Sequence, residues 1–236
     1  MSEYVALIPA AGVGARAQLK LAKQFNIVGK KTIIEFAIDP FLKDEKCKTV
    51  YVVVNEDTDA WEALPISQHN KIKTCFGASS RMLSVLNGLQ AIKEDEDKSI
   101  LVAVHDAARP CLDLKDLLGL MEKARDEIKE DGQGCYLSYQ PSESVNLIKD
   151  EKVQESLDRN DVWLSATPQV FCLEDLLSAL IKATDEEKVF TDEVSAMLHF
   201  FKKEISIFPC NKTNIKVTKK EDLETIEQYL KLAGRI

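Results

Sequence analysis

The chain has 236 residues, of which 45% are hydrophobic and 30% charged, an ordinary globular composition with length enough to bury a full core. Its formal charge of −8 excludes a general nucleic-acid surface, which needs clustered lysine and arginine, and no apolar run reaches the ~20 residues of a membrane-spanning helix. The six cysteines (Cys47, Cys75, Cys111, Cys135, Cys172, Cys210) are scattered and the three histidines lie far apart, which argues against a disulfide framework or a zinc site.

Val5 to Ile8 is an apolar, branched run of the kind that forms a buried strand, and it breaks into Pro9-Ala10-Ala11-Gly12-Val13-Gly14. Side chains there are tiny or absent, so backbone N–H groups can approach a ligand closely. Arg16 and Lys23 add permanent positive charge. Such a stretch is either an ordinary tight turn or a cradle for a polyphosphate. Gly12-x-Gly14-x-x-Ala17 also fits the dinucleotide pattern, but that pattern leads to a second strand with an acid ~20 residues on. The next convincing strand here, Thr49 to Val54, lies much further along, which argues against a nicotinamide or flavin. A G-x-x-x-x-G-K-[ST] loop is absent, and Ala15 to Gln24 is rich in helix formers. The N-terminus runs into its first strand with no basic leader or cleavage site, so a cytoplasmic location is expected.

Thr32 to Leu42 has helical spacing, with Thr32 as N-cap. Thr49 to Val54 is an unbroken β-branched run, and Ile72 to Phe76 is a weaker strand. A helix over Ser80 to Ile92 precedes another buried strand, Ser99 to Val104, and a helix over Leu114 to Ile128. This alternation predicts an α/β fold: a Rossmann-like, mostly parallel, doubly wound sheet with sites at the strand C-termini. The rhythm changes past Gly132. Cys135 to Tyr139 and Val145 to Lys149 read as a projecting hairpin around Gln140 to Ser144. Residues 134–160 are therefore expected to form an arm on a single 1–236 domain, covered by a symmetric partner. Helices are expected at Leu173 to Ala183, Thr191 to Phe201 and Lys219 to Leu232, with Ile205 to Phe208 and Ile215 to Val217 closing the sheet.

Four further stretches could carry chemistry. Asp106, in His105-Asp106-Ala107-Ala108-Arg109-Pro110, directly follows a buried strand. It is either a turn-initiating residue or a group that orients Mg²⁺-bound water or a nucleotide hydroxyl. Arg109 either grips a phosphate or pairs with a surface carboxylate. Gly77-Ala78-Ser79-Ser80-Arg81 leads small residues and hydroxyls into a helix, suited to a base or ribose edge or to a plain N-cap. Lys216, in Asn214-Ile215-Lys216-Val217-Thr218, sits on a solvated edge or points into a cleft. Thr191-Asp192-Glu193 most simply caps the helix it begins.

Taken in order, Pro9-Ala10-Ala11-Gly12-x-Gly14-x-Arg16, Lys23-Gln24, Gly77-x3-Arg81-x2-Ser84-Val85, the His105 to Pro110 block, Asp158-Arg159-Asn160, Thr167-Pro168-Gln169, Thr191-Asp192-Glu193 and Asn214 to Thr218 resemble the 2-C-methyl-D-erythritol 4-phosphate cytidylyltransferases. The resemblance spans nearly the whole chain. It implies a nucleotide-diphospho-sugar-transferase-like fold, a homodimer joined through the arm, and a Mg²⁺-dependent transfer of CMP from CTP to the sugar phosphate. By the same resemblance Arg16 and Lys23 are the transition-state stabilisers, while Arg159, from the partner's arm, and Lys216 position the acceptor. Ala10, Ala11, Gly12, Gly77, Ser84, Asp106 and Ala107 hold CTP, with Arg109 and Thr167 on the sugar-phosphate side. Two departures stand out. Ala78 replaces the family's second glycine, and in the arm the usual Pro-Val-x-Asp-Thr-x-Lys becomes Gln140-Pro141-Ser142-Glu143-Ser144-Val145-Asn146, where Ser144 keeps a hydroxyl but Asn146 lacks the charge. The alternatives are a ribitol-5-phosphate cytidylyltransferase and a CTP-binding module without turnover.

Overall fold

The computed structural model describes residues 3–12, 22–57 and 59–236. Gly14, Arg16 and Ala17, with most of the Ala15 to Gln24 stretch, lie outside them. The chain opens with β1 (Tyr4–Pro9) and, after a single 3-10 turn at Lys23–Phe25, a small hairpin of β2 (Ile27–Val28) and β3 (Lys31–Thr32). It continues through α1 (Ile33–Lys43), β4 (Cys47–Val54), the short α2 (Asp59–Glu62), β5 (Ile72–Phe76), α3 (Arg81–Asp95), β6 (Leu101–Val104) and α4 (Leu114–Lys129). Then come β7 (Gly134–Tyr139), β8 (Val145–Lys149), β9 (Lys152–Leu157), β10 (Leu164–Cys172), α5 (Leu173–Asp185), α6 (Glu193–Phe201), β11 (Ser206–Pro209) and α7 (Asp222–Leu232).

Seven strands form the main sheet in the order β11-β7-β10-β6-β1-β4-β5. β1 explains why it is wound on both sides. Tyr4, Ala6 and Ile8 enter one apolar cluster with Ile34, Ile38 and Phe41 of α1 and Leu117, Leu120 and Met121 of α4. Val5 and Leu7 enter the opposite cluster with Val85, Leu89 and Ile92 of α3 and the inner faces of α5 and α6. A strand buried on both faces has no position for a polar residue, hence the continuous apolar run. Gly88 lets α3 close onto the sheet, since a Cβ there would strike Leu7 and Val53. Thr32 does begin α1: Glu35 reaches back to accept its backbone N–H at 2.7 Å, a capping box.

The expected parallel sheet is present with one exception. β10 runs antiparallel to both neighbours, β6 and β7. The sequence pattern had no strand at 164–172, because Pro168 falls in its middle, at a cis Thr167–Pro168 bond beside a register shift in the ladder. The hairpin needs correcting as well. β7 does not pair with β8; it is an interior strand of the main sheet, and the projecting pair is β8 with β9. β7 is almost wholly buried, whereas β8 and β9 are exposed nearly throughout, so burial separates sheet from arm where alternation alone did not. Finally, Ile215 to Val217 does not close the sheet. The segment joins no strand and is anchored to a loop, with Val217 N–H donating to Ala108 O at 2.9 Å, and Val217 packs with α1 and α7.

Candidate active site

A cleft of about 650 Å³ opens at the carboxyl ends of β1 and β6, within the size range of small-molecule sites. One wall is the loop after β1. Gln24, buried, donates from Nε2 to Ala10 O at 2.6 Å and to Gly12 O at 3.2 Å, pinning the loop from behind. The glycines have opposite surroundings. A Cβ on Gly12, which lines the cleft, would meet none of the described residues within 4 Å. A Cβ on Gly77 would lie 2.5 Å from Ala11 Cβ and 2.8 Å from Ser84 Oγ, so the loops after β1 and β5 can touch here only through a glycine. Ser84 Oγ accepts the Ala78 N–H at 3.0 Å and donates to Ser80 O at 2.8 Å, setting the entry of α3. Ala78, where the resembled family carries glycine, is thereby fixed through its backbone.

The opposite wall is built on Asp106. This carboxylate is 6% exposed and surrounded by cations: Arg81 Nε donates to Oδ1 at 3.0 Å, while Lys216 Nζ and Arg109 Nε lie 2.9 and 3.4 Å from Oδ2. Burial alone would raise its pKa, but Arg81, Lys216 and Arg109 outweigh it and hold the group well below the usual carboxylate range. Arg81 is also forked onto buried Glu193, at 2.6 and 3.1 Å. Lys23 and Lys216 both line the cleft, so these two predicted site residues come together with Ala10, Ala11, Gly12, Ser84, Asp106 and Ala107.

Behind Asp106 lies a chain of buried polar groups. Thr167 Oγ1 accepts the Asp106 N–H at 3.1 Å and lies 2.9 Å from His105 Nδ1. The hydroxyl has one hydrogen, and it goes to Nδ1, because His105 Nε2 faces Arg109 O at 3.1 Å and must carry the imidazole proton to bond it. Desolvation pushes the His105 pKa down to about 4, so the ring is neutral near pH 7. Arg109 Nη1 donates to Asn214 O at 2.7 Å, and Asn214 Nδ2 donates to Thr167 O at 2.9 Å. Arg109 and Thr167 are therefore brought to the site, but buried behind its wall rather than lining it.

Arg159 and Ser144 are not brought there. Both are exposed on the arm, where Arg159 Nη1 donates to Ser142 O at 3.0 Å. Conversely, the pattern reading gave no site role of their own to Gln24, Arg81, His105, Glu193 or Asn214, and read Glu193 only as part of a helix cap. Arg81 and Glu193 are 112 residues apart, and nothing local in either motif signals the fork. For Gln24, the available signal was a polar residue beside the glycine loop with its carbonyls to satisfy.

A doubly wound sheet whose strand ends bring a small-residue loop together with Lys23, Arg81 and Lys216 in one cleft suits a nucleotidyltransferase. Residues 4–232 match the family model described as IspD, 2-C-methyl-D-erythritol 4-phosphate cytidylyltransferase. The chain belongs to this family. Curated relatives of that name include one from Tolumonas auensis, 35% identical over 94% of both chains, and one from Klebsiella pneumoniae, 37% identical over 95% of this chain and 92% of the relative. The crystal structure of the Francisella tularensis enzyme superposes with a TM-score of 0.81 at 30% identity, covering 97% of this chain and all of the other.

Proposed function

We propose that this protein transfers CMP from CTP to 2-C-methyl-D-erythritol 4-phosphate in the cleft described above, giving 4-diphosphocytidyl-2-C-methyl-D-erythritol and pyrophosphate. The observation that carries the reading is one cleft lined by both the small-residue loop Ala10 to Gly12 and the lysines Lys23 and Lys216, in a member of this family. A phosphomonoester has a second pKa near ~6 and is largely a dianion at neutral pH. It is its own nucleophile and needs no activating Ser-His or Cys-His pair. Its oxygen attacks the α-phosphorus of CTP in line, the bond to the β-phosphate oxygen breaks, and pyrophosphate leaves. The protein's task is to position and to neutralise the charge that builds on the α-phosphoryl group.

Arg16 and Lys23 are assigned that neutralisation, and Lys216 the holding of the acceptor phosphate. Ala11 and Gly12 are assigned backbone contact with the nucleotide, while Ala10, Gly77, Ser84, Asp106 and Ala107 set the loops that contact it. Thr167 and Arg109 serve the acceptor side indirectly, by fixing Asp106 and the Asn214 to Lys216 segment. Among the described residues no three His, Cys, Asp or Glu side chains converge on one point. Asp106, at the cleft, is the carboxylate that would face Mg²⁺ through water, an ion that leans on substrate phosphates and needs few protein oxygens. When bound, the ion shields the triphosphate.

Arg159 is assigned to acceptor positioning from the arm of a second copy. What supports this is its exposure on the arm, outside the cleft of its own chain, together with the uncovered Leu147, Ile148 and Val153 further along the same arm. A homodimer joined through residues 140–160 follows, with a cytoplasmic location; no helix among the described residues is long and apolar enough to cross a membrane.

Pyrophosphate release with CTP against methylerythritol and ribitol phosphates tests the reading. Release with the first and not the second supports it, and no release with either refutes it. The relatives carry the methylerythritol name, and no observation favours ribitol phosphate or a module without turnover. In the same assay Arg16→Ala and Lys23→Ala should each lower kcat by roughly 10²-fold or more, the scale for one preorganised donor.

A further inference from the structure

Arg81 joins parts of the molecule that are far apart in sequence. Its Nε holds Asp106 at the end of β6, and its terminal nitrogens fork onto Glu193, the first residue of α6. That first turn is itself fastened to β10. Gln169 Oε1 accepts the Val194 N–H at 2.9 Å, and Gln169 Nε2 donates to Asp192 Oδ2 at 3.0 Å. The carboxylate gripping Arg81 is thus both buried and fixed, and a bidentate fork fixes the plane of the guanidinium as well as its place.

The two oxygens of Asp106 are served differently. Oδ1 belongs to Arg81, while Oδ2 is shared by Lys216 and, more loosely, Arg109. Arg109 is buried and already spent on Asn214 O. Lys216 keeps 35% of its side chain exposed to the cleft, so it can change partners. A phosphate entering the cleft competes with Asp106 for that ammonium. The competition is easier to win when another cation already meets the carboxylate at its second oxygen.

We propose that Arg81 is a positioning residue for the transfer reaction: locked by Glu193, it fixes Asp106 through Oδ1 and leaves Lys216 on Oδ2 exchangeable to the acceptor phosphate. This rests on the reading of the cleft as the cytidylyltransferase site. Without Arg81 the carboxylate turns and draws Lys216 and Arg109 into closer pairing. The acceptor then meets a cation already engaged.

Steady-state pyrophosphate release, with CTP saturating and methylerythritol phosphate varied, tests this on wild type, Arg81→Gln, Arg81→Lys, Glu193→Gln and the Arg81→Gln/Glu193→Gln pair. Arg81→Gln should raise the acceptor KM by about tenfold or more with kcat within about threefold. Arg81→Lys should not restore it, because one ammonium cannot bridge both carboxylates with the geometry of the fork. Glu193→Gln should shift KM the same way by less, and the double variant should be no worse than Arg81→Gln alone. An unchanged KM, with kcat lowered only in proportion to the folded fraction seen by circular dichroism, overturns the proposal; so do additive losses in the double variant. Should Arg81→Gln not fold, the near-isosteric Glu193→Gln decides by the same KM criterion. A folded wild type that releases no pyrophosphate refutes the underlying assignment of the cleft, and this proposal with it.

Discussion

The Thr167 hydroxyl lies 2.9 Å from Nδ1 of His105, across 62 residues of chain, and gives its one hydrogen to the acceptor nitrogen of a fully buried ring. Thr167→Val keeps the volume but strands both the His105 Nδ1 acceptor and the Asp106 N–H, at about 1–3 kcal/mol for each buried group left unpaired. Urea unfolding should show that loss for Thr167→Val and little of it for Thr167→Ser, which keeps the hydroxyl.

His105 also gives the protein an acid-sensitive term. Its folded pKa, about 4, lies below the ordinary 6.5, so between those values the unfolded chain binds the extra proton. The stabilisation is complete above about pH 6.5 and is lost as pH falls toward 4, on the order of 3 kcal/mol over the window. Unfolding midpoints measured from pH 7.5 to 4.5 should fall for wild type and flatten for His105→Gln. Asp106 loses its contribution only at lower pH, since its carboxyl is held well below the usual range, so the two are separable.

The glycines of the cleft should respond oppositely. Gly77→Ala drives a methyl group into Ala11 and Ser84, an overpacking expected to cost about 1–3 kcal/mol in stability. Gly12→Ala meets no atom of the described residues, so the melting temperature should hold while CTP affinity falls. Calorimetric unfolding beside CTP titration of both variants checks the pair; a destabilised Gly12→Ala or an intact Gly77→Ala would contradict the geometry.

Gln24 offers a third test. Gln24→Ala removes both donors from the carbonyls of Ala10 and Gly12, and Gln24→Glu keeps the size while replacing the donors by a carboxylate facing two carbonyl oxygens. Weakened CTP binding is expected from both, and at least as much from the glutamate. Were shape alone responsible, glutamate would be tolerated.

How much of this could be read from the chain follows from the range of the signals. β1, β4 and β6 declared themselves because burial on both faces leaves unbroken apolar runs, a property visible within six residues. The loops holding Gly12, Gly77 and Asp106 were legible for a related reason: small residues and an acid right after such strands stand where a doubly wound sheet presents its chemistry. β10 was not legible, since a proline in a central strand argues against a strand, and only the tertiary ladder with β6 and β7 overrides that. The β8–β9 pairing was missed because β7 and β8 carry similar local patterns, and only burial distinguishes an interior strand from a projecting one. The Arg81–Glu193 fork and the Asn214 bonds are long-range polar contacts, and each partner taken alone reads as a cap or a turn.

The reversed direction of β10 has a mechanical consequence. Tyr139, where the chain leaves the sheet for the arm, is the ladder partner of Leu164, where it returns. The two connecting stretches, 140–144 and 158–163, are cross-tied by Gln140 to Asn160 O and Arg159 to Ser142 O, so the hairpin stands on a braced stalk. Its foot is three residues from Thr167, and through Thr167 it reaches the backbone of Asp106. Whatever grips the far end of the hairpin has leverage on the floor of the cleft.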